Sequence, residues 1–222
     1  MAQLSLFLLG SPQVTLDGRP VASLKHDKVR ALLAYLAMNA DRPHRRDSLI
    51  GLLWPNFAQT AARNSLRQAL TILRQAIRDQ TADPPYLFIS RSDIQFNAND
   101  DFWLDVATVT ALLAACKQHR HRRAESCKAC AQRRRQAVDL YKGDFLDGFF
   151  LPDSAPFEEW ALLTRETLRQ QMVVALAQLT AYHEQRGQYQ RAFAYGRHHL
   201  ALDPLREEAH RQVMHLLLLN HE

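Results

Sequence analysis

Glycine, proline and cysteine are scarce in this chain of 222 residues, which contains 7 Gly, 9 Pro and 3 Cys. Few Gly and Pro argue against a disordered chain or an all-β sandwich, both of which need many turns. An odd number of cysteines, two of them in CxxC spacing, is not typical of a secreted disulfide-bonded domain. With 47% hydrophobic residues, the composition predicts a mainly helical protein of one large or two ordinary domains, located in the reducing cytoplasm.

Long apolar runs and enzyme motifs are absent from the sequence as well. No run approaches the length of a transmembrane helix, and the opening MAQLSLFLLGSPQV lacks the basic region of a signal peptide. No GxxxxGK[ST], GxGxxG, GxSxG or HExxH motif occurs. Asp144 and Asp147 in YKGDFLDG are better explained as turn and helix-capping residues than as paired catalytic carboxylates. We therefore expect neither an enzyme nor a membrane protein, and no nucleotide site.

Acidic residues are also missing between Thr60 and Arg78, although an exposed helix usually mixes charges to gain i,i+4 pairs. Apolar residues recur there at spacings of three and four and predict an amphipathic helix. They are Ala62, Leu66, Ala69, Leu70, Leu73 and Ile77. The other face carries Arg63, Asn64, Arg67, Gln68, Thr71, Arg74, Gln75 and Arg78. Arg, Asn and Gln are the side chains that read guanine and adenine edges in the major groove. Taken alone, the stretch fits a solvated basic face equally well.

The sequence around this helix predicts a strand hairpin, three helices and a second strand hairpin. The predicted ranges are 4–9, 13–16 and 19–24 for the first strands, 28–38, 45–54 and 60–78 for the helices, and 86–90 and 94–97 for the last strands. In this order the second and third helices form a helix-turn-helix and the last hairpin a wing, because the major groove admits one helix while the preceding helix crosses the DNA backbone. Arg45 and Arg46 open the second helix, where free amides and the helix dipole attract phosphate. Arg91, at the wing tip, can reach a neighbouring phosphate or the minor groove.

Residues 4–97 resemble the OmpR-like winged-helix domain of the SARP type of bacterial transcriptional regulator. The resemblance rests on KVRALLAYLA, RRDSLIGLLWP, ARNSLRQALTILRQAI and the terminal hairpin. It implies that the helix 60–78 enters the major groove and that the hairpin 86–97 contacts the flanking backbone. Carried over by position, it places six helix residues at DNA: Arg63, Asn64, Arg67, Gln68, Thr71 and Arg74. A plain surface role for Asn64 and Thr71, and a position of Arg74 beyond reach of a base, remain open.

The sequence of the second half predicts an all-helical domain, with helices over 105–115, 157–186, 191–202 and 207–220. A polar stretch and the segment Gln136 to Tyr141 separate the first two of these helices. The segments YKGDFLDGFF, FEEWALLTRETLR, GQYQRAFAYGRHHLALDP and REEAHRQVMHLLL resemble the bacterial transcriptional activation domain of the same family, a tetratricopeptide-like module. That resemblance implies dimerisation or contacts with RNA polymerase. Bracing of the first domain and binding of another protein partner are the alternatives.

Together the two resemblances imply a mainly α protein with a small amount of β structure. A winged helix-turn-helix domain would occupy residues 1–100, and a tetratricopeptide-like helical repeat domain residues 101–222. The implied function is that of a sequence-specific transcriptional regulator, an activator, that binds double-stranded DNA as a homodimer in the bacterial nucleoid. The alternative is a protein–protein interaction module of a larger signalling ATPase, in which the winged helix does not bind DNA.

The segment 116–135 is a cysteine- and histidine-containing insert in the second domain. Five potential metal ligands occur within fifteen residues: Cys116, His119, His121, Cys127 and Cys130. Four of the five would form a structural zinc site. The CxxC supplies one pair of ligands, and either Cys116 with His119 or His119 with His121 supplies the other.

Two other interpretations of the insert remain open. Between Lys117 and Arg135 there are 8 Lys or Arg and one Glu, a local charge of +7, so the segment has little apolar surface to drive folding, and a metal would offset that. Alternatively, it is a disordered basic loop with spare thiols. A redox CxxC is less favoured, because no thioredoxin-like strand precedes it.

Overall fold

The computed structural model describes residues 3–98, 102–120 and 126–219. The chain packs into two compact units, one formed by Met1–Ala107 with Phe145–Thr164 and the other by Thr108–Asp144 with Arg165–Glu222. The chain passes to the second unit after Ala107 and returns to the first unit over 145–164, a return that the predicted ranges 1–100 and 101–222 do not contain. As expected, helices dominate, with two small sheets.

The first unit opens with a four-stranded sheet in the order β3-β2-β1-β7. Strand β1 (Leu4–Phe7) pairs antiparallel with β2 (Gln13–Leu16), which pairs with the two-residue β3 (Arg19–Pro20). Strand β7 (Phe102–Leu104) lies parallel to β1 on its other side. The first two predicted strands are confirmed, the third is shorter than predicted, and β7 was missed.

Three helices follow, as predicted: α1 (Asp27–Met38), α2 (Arg46–Leu53) and α3 (Gln59–Ala76). All six residues of the predicted apolar stripe of α3 are at most 5% exposed. Burying this stripe fixes the rotation of α3 about its axis and turns its basic face to solvent.

A three-stranded sheet in the order β4-β6-β5 follows α3. Strands β5 (Leu87–Ile89) and β6 (Asp93–Phe96) form the predicted antiparallel hairpin, with its turn at Arg91–Ser92. The two-residue strand β4 (His44–Arg45) pairs with β6, opposing Arg45 to Asp93. Because β4 runs directly into α2, the wing is joined through hydrogen bonds to the start of the helix-turn-helix.

Residues 145–164 belong to the first unit and are held there by backbone and side-chain hydrogen bonds. The amides of Leu146 and Asp147 donate to the carbonyls of Leu8 and Gly10 at 2.8 and 3.0 Å. Farther on, the Ser154 hydroxyl donates to the carbonyl of Leu52 at 2.6 Å. These hydrogen bonds join residues that are more than a hundred positions apart in sequence. Sequence periodicity detects only local patterns, and the segment was therefore assigned to the second domain.

The second unit is entirely helical within the described residues. It contains most of α4 (Asp105–Gln118), α5 (Lys128–Leu140), the second part of α6 (Ala155–Glu184), α7 (Tyr189–Leu202) and α8 (Glu207–Leu219). Helix α5 was not predicted; it begins eight residues before the segment 136–141 and includes the second cysteine of the CxxC. Helices α7 and α8 approach closely, since a Cβ added at Gly196 would lie 2.9 Å from Cγ2 of Val213. None of the described helices is long and apolar enough to span a lipid bilayer.

Candidate nucleic-acid interface

The second helix, the third helix and the wing share one concave surface, which we call the arginine groove. The groove has a volume of about 490 Å³. It is lined by Arg45, Arg46, Asp47, Ile50, Arg63, Leu66, Arg67, Arg91 and Ser92. Five of these residues are arginines and one is acidic, so the lining is strongly positive. The structure thus brings together five of the nine residues that the sequence predicted to contact DNA.

Arg46 holds the wing against the start of α2. Its backbone amide donates to the carbonyl of Ser92 at 2.9 Å. Its Nε and Nη2 atoms donate to the carbonyl of Ser90 at 3.2 and 3.0 Å. The guanidinium therefore positions the wing turn next to α2, in addition to contributing positive charge to the groove. Sequence periodicity could not predict this bracing, because the partners of Arg46 lie 44 residues away or more.

Within the groove, α3 contributes Arg63 and Arg67, one helical turn apart. Arg63 Nη2 lies 3.4 Å from Oδ1 of Asp47 in a pair in which both side chains are more than half exposed, so the pair leaves Arg63 accessible. Arg67 Nη1 donates to the Asn64 side-chain oxygen at 3.0 Å. That bond aligns a guanidinium and an amide on the exposed side of the helix, side by side.

The four other predicted residues of α3 lie outside the groove lining. The Thr71 hydroxyl donates to the backbone carbonyl of Arg67 at 3.1 Å, one turn earlier in the same helix. Gln68 is exposed but lines a different concavity, with Ser65 and Ile72. Arg74 Nε donates to the buried Asp79 carboxylate at 2.8 Å, so its guanidinium is engaged in holding the end of α3. Asn64 is exposed beside Arg67.

The predicted metal ligands are brought together only in part. The ligand atoms of His119, Cys127 and Cys130 all lie within 4.8 Å of one another. Cys116 is buried, and its thiol donates to the Cys130 carbonyl at a distance of 3.6 Å. His121 lies outside the described residues. We call the three residues that meet the His–Cys cluster.

The two sulfurs of this cluster differ in environment. Cys130 is fully buried, and burial raises the pKa of its thiol to about 11. Cys127 is half-buried, and a hydrogen bond from the Cys130 backbone amide lowers the pKa of its thiol. Both effects follow from the position of the CxxC across the start of α5, where one cysteine precedes the helix and the other packs beneath its first turn.

Comparison with known proteins bears on both halves of the chain. Residues 104–220 match the family described as bacterial transcriptional activator domain. An 82-residue segment, 37% of this chain, is 39% identical to the transcriptional regulatory protein EmbR of Mycobacterium bovis and of Mycobacterium tuberculosis. That segment spans 21% of EmbR.

A solved structure, that of Mycobacterium tuberculosis EmbR in complex with a low affinity phosphopeptide, has the same fold. It superposes with a TM-score of 0.75 and 26% sequence identity, over 100% of this chain and 56% of that chain. The chain thus spans about half the length of this solved relative.

A winged helix followed by a helical domain of this kind defines a class of bacterial transcriptional regulators. Because the family match covers more than half of its residues, the chain belongs to the bacterial transcriptional activator domain family, within regulators of the SARP type. The family resemblance predicted from the sequence is thereby confirmed.

Proposed function

We propose that this regulator binds double-stranded DNA in a sequence-specific manner and activates transcription, with α3 in the major groove and the β5–β6 hairpin as wing. The observation that carries the proposal is the arginine groove. Five arginines from strand β4, helices α2 and α3 and the wing hairpin converge there, although exposed like charges repel one another in the absence of a polyanion. A duplex relieves that repulsion by presenting phosphates along the same surface.

The groove residues divide into two roles. Arg45 and Arg91 are exposed at the start of α2 and at the wing turn, where a helix-turn-helix protein meets the phosphate backbone. Arg67 and Asn64 lie on the exposed face of α3 and are the residues that we assign to base edges, since Arg reads guanine and Asn reads adenine. Arg63, partly neutralised by Asp47, serves as a further phosphate contact.

We assign the second domain to protein contacts, either dimerisation on DNA or binding of RNA polymerase or another partner. Large apolar side chains that are exposed support this assignment, since such residues mark interaction surfaces. Met214 and Leu218 of α8 are 57% and 71% exposed, and Leu205 is 94% exposed. The solved EmbR structure is a complex with a phosphopeptide, which also favours a protein partner. As a transcriptional regulator the protein would act in the cytoplasm and catalyse no reaction.

The test is a DNA-binding titration with the full chain. Duplexes are first selected from a random pool, and affinity is then measured by fluorescence anisotropy at several salt concentrations. Arg67→Ala should cost about 1–3 kcal/mol at one base position, whereas Arg91→Ala should weaken all duplexes equally and reduce the salt slope by about 1. Arg19→Ala removes the same charge from an exposed residue outside the groove and should change neither value.

Two results would contradict the proposal. If Arg67→Ala and Arg91→Ala bound as the unchanged protein does, α3 and the wing would not be the contact surface. If the unchanged protein bound no duplex at low salt, the alternative of a protein-interaction module would take precedence. A gel-filtration or sedimentation measurement with and without the selected duplex distinguishes monomer from dimer binding.

A further inference from the structure

The His–Cys cluster joins the end of one helix to the start of the next. His119 directly follows α4, Cys127 directly precedes α5, and Cys130 lies in the first turn of α5. His119 Nδ1 is 3.2 Å from Sγ of Cys130 and 3.5 Å from Sγ of Cys127. Three side chains from the two ends of a connection thus point at a common centre.

These separations are those of ligands around one small ion. For a tetrahedral zinc ion, with bonds of about 2.3 Å to sulfur and 2.0–2.1 Å to nitrogen, ligand atoms lie about 3.5–3.8 Å apart. The two nitrogen–sulfur distances, 3.2 and 3.5 Å, lie within a few tenths of an ångström of this spacing. Imidazole nitrogen and thiolate sulfur are also the donors that zinc prefers.

Charge balance permits a metal in this basic segment. Two thiolates with a neutral imidazole carry a charge of −2, which a divalent ion cancels. Binding therefore adds no net charge to a segment that carries +7, because two protons leave as the ion enters. A free divalent cation without thiolate ligands would instead be repelled.

We propose that His119, Cys127 and Cys130 bind one Zn²⁺ ion, which fixes the end of α4 to the start of α5. The fourth position of the shell is filled by a ligand other than Cys116, whose thiol is directed at the Cys130 carbonyl. By joining the two ends of the connection, the ion reduces the entropy that the chain loses on ordering the second unit. The role is structural and does not depend on DNA binding.

The experiment uses the full chain, without an affinity tag, purified in reductant and zinc and then dialysed. Elemental analysis should give about one zinc per chain. Replacing zinc by Co²⁺ should produce the visible bands of a tetrahedral site and a near-ultraviolet sulfur-to-cobalt band with the intensity of two thiolates. Removing the metal with a chelator should lower the unfolding temperature, and adding zinc back should restore it.

Variants locate the ion. Cys127→Ser, at the half-buried position, and His119→Asn, at the exposed position, should lose metal while keeping the helical circular dichroism of the protein. Cys116→Ser is the matched control, since its hydroxyl can donate to the same carbonyl. It should retain one metal per chain and the same cobalt spectrum. His210→Asn changes an exposed histidine of the same unit outside the cluster and should have no effect.

Four results would overturn the proposal. The first is a zinc content near zero in the reduced, zinc-loaded protein. The second is a disulfide between Cys127 and Cys130 in protein kept in reductant, which would make the pair a redox site. The third is a cobalt spectrum of three thiolates that falls to two in Cys116→Ser, which would replace the ligand set. The fourth is full metal content in both Cys127→Ser and His119→Asn.

Discussion

Arg74 Nε lies 2.8 Å from Oδ2 of Asp79, and the same carboxylate accepts the backbone amide of Leu87 through Oδ1 at 2.9 Å. Asp79 is 1% exposed. Because its carboxylate is shielded from water, these two donors compensate its charge. The pair therefore connects the last turn of α3 to the first strand of the wing. An arginine that sequence reasoning assigned to DNA holds together the two elements that would contact DNA.

Arg74→Ala should destabilise the protein by about 2 kcal/mol, because a buried carboxylate loses a charged hydrogen bond. Urea unfolding followed by circular dichroism would measure this loss. At temperatures where Arg74→Ala is folded, its salt slope for DNA binding should equal that of the unchanged protein, in contrast to Arg91→Ala. A reduced salt slope with unchanged stability would instead show that Arg74 contacts DNA.

Asp105 makes a second long-range connection, from the start of α4 to the first sheet. Its Oδ2 accepts the amides of Leu8 and Leu9, each at 2.8 Å. The amide of Val106 donates to Oδ1 at 2.7 Å. An asparagine in this position would offer one oxygen and present an amino group to donors. Asp105→Asn should cost about 1–3 kcal/mol, because one oxygen cannot accept all three amides and at least one buried donor loses its acceptor. Asp147→Asn, at an exposed position, is the control and should change stability by less than about 0.5 kcal/mol.

The helices of the first unit were predictable because their apolar residues repeat with helical spacing. The stripe on α3 predicted its length and its buried side, and so the direction of its basic face. Strands β4 and β7 were not predictable, because two and three residues carry no periodicity. Pairing with β6 and β1 defines them, and those partners are distant in sequence.

The start of α5 was missed for a different reason. Cys130, Arg134 and Val138 recur every four residues and are all buried, which is a helical stripe. Arg134 lies in the middle of this stripe, and a charged residue is ordinarily expected to be solvent-exposed. The stripe was therefore not recognised, and the start of the helix was not predicted. The arginines predicted to contact DNA raise a similar problem. The sequence grouped them correctly, but it could not show which of them contact other protein groups. Only the structure shows that Arg46 and Arg74 bind a backbone carbonyl and a buried carboxylate.

Gly196 permits close packing of α7 on α8, which leads to a prediction for the second unit. A methyl group at this position would lie 2.9 Å from Cγ2 of Val213 and 3.7 Å from Cγ2 of Thr180. Since Val213 is β-branched and largely buried, it has little freedom to move aside. Gly196→Ala should destabilise the protein by about 1–3 kcal/mol through overpacking, as measured by urea unfolding.

A double-mutant cycle would show that the cause is this contact. In the Val213→Ala background, the space beside Gly196 is open, and Gly196→Ala should then be close to neutral or stabilising, as is usual for a glycine within a helix. Equal costs in both backgrounds would mean that the clash with Val213 is not the source of the instability.

His199, on α7, should make the protein less stable in mild acid. Its side chain is 4% exposed, and Nε2 has no hydrogen-bond partner among the described residues. Burial lowers the pKa of His199 below its usual value of 6.5, so the unfolded chain binds this proton more readily than the folded protein. Stability contributed by the neutral ring is therefore present above pH 6.5 and is lost as the pH falls from there through the pKa of the folded state.

The measurement is the free energy of unfolding of the unchanged protein and of His199→Leu at pH 8 and at mildly acidic values. Both proteins contain the His–Cys cluster, and both contain His198, whose pKa burial also lowers, so those contributions cancel in the difference. His199→Leu should show the weaker loss on acidification, because it has no ring to protonate. If the two curves remained parallel, His199 would have to be protonated equally well in the folded and unfolded states, and its burial would carry no energetic penalty.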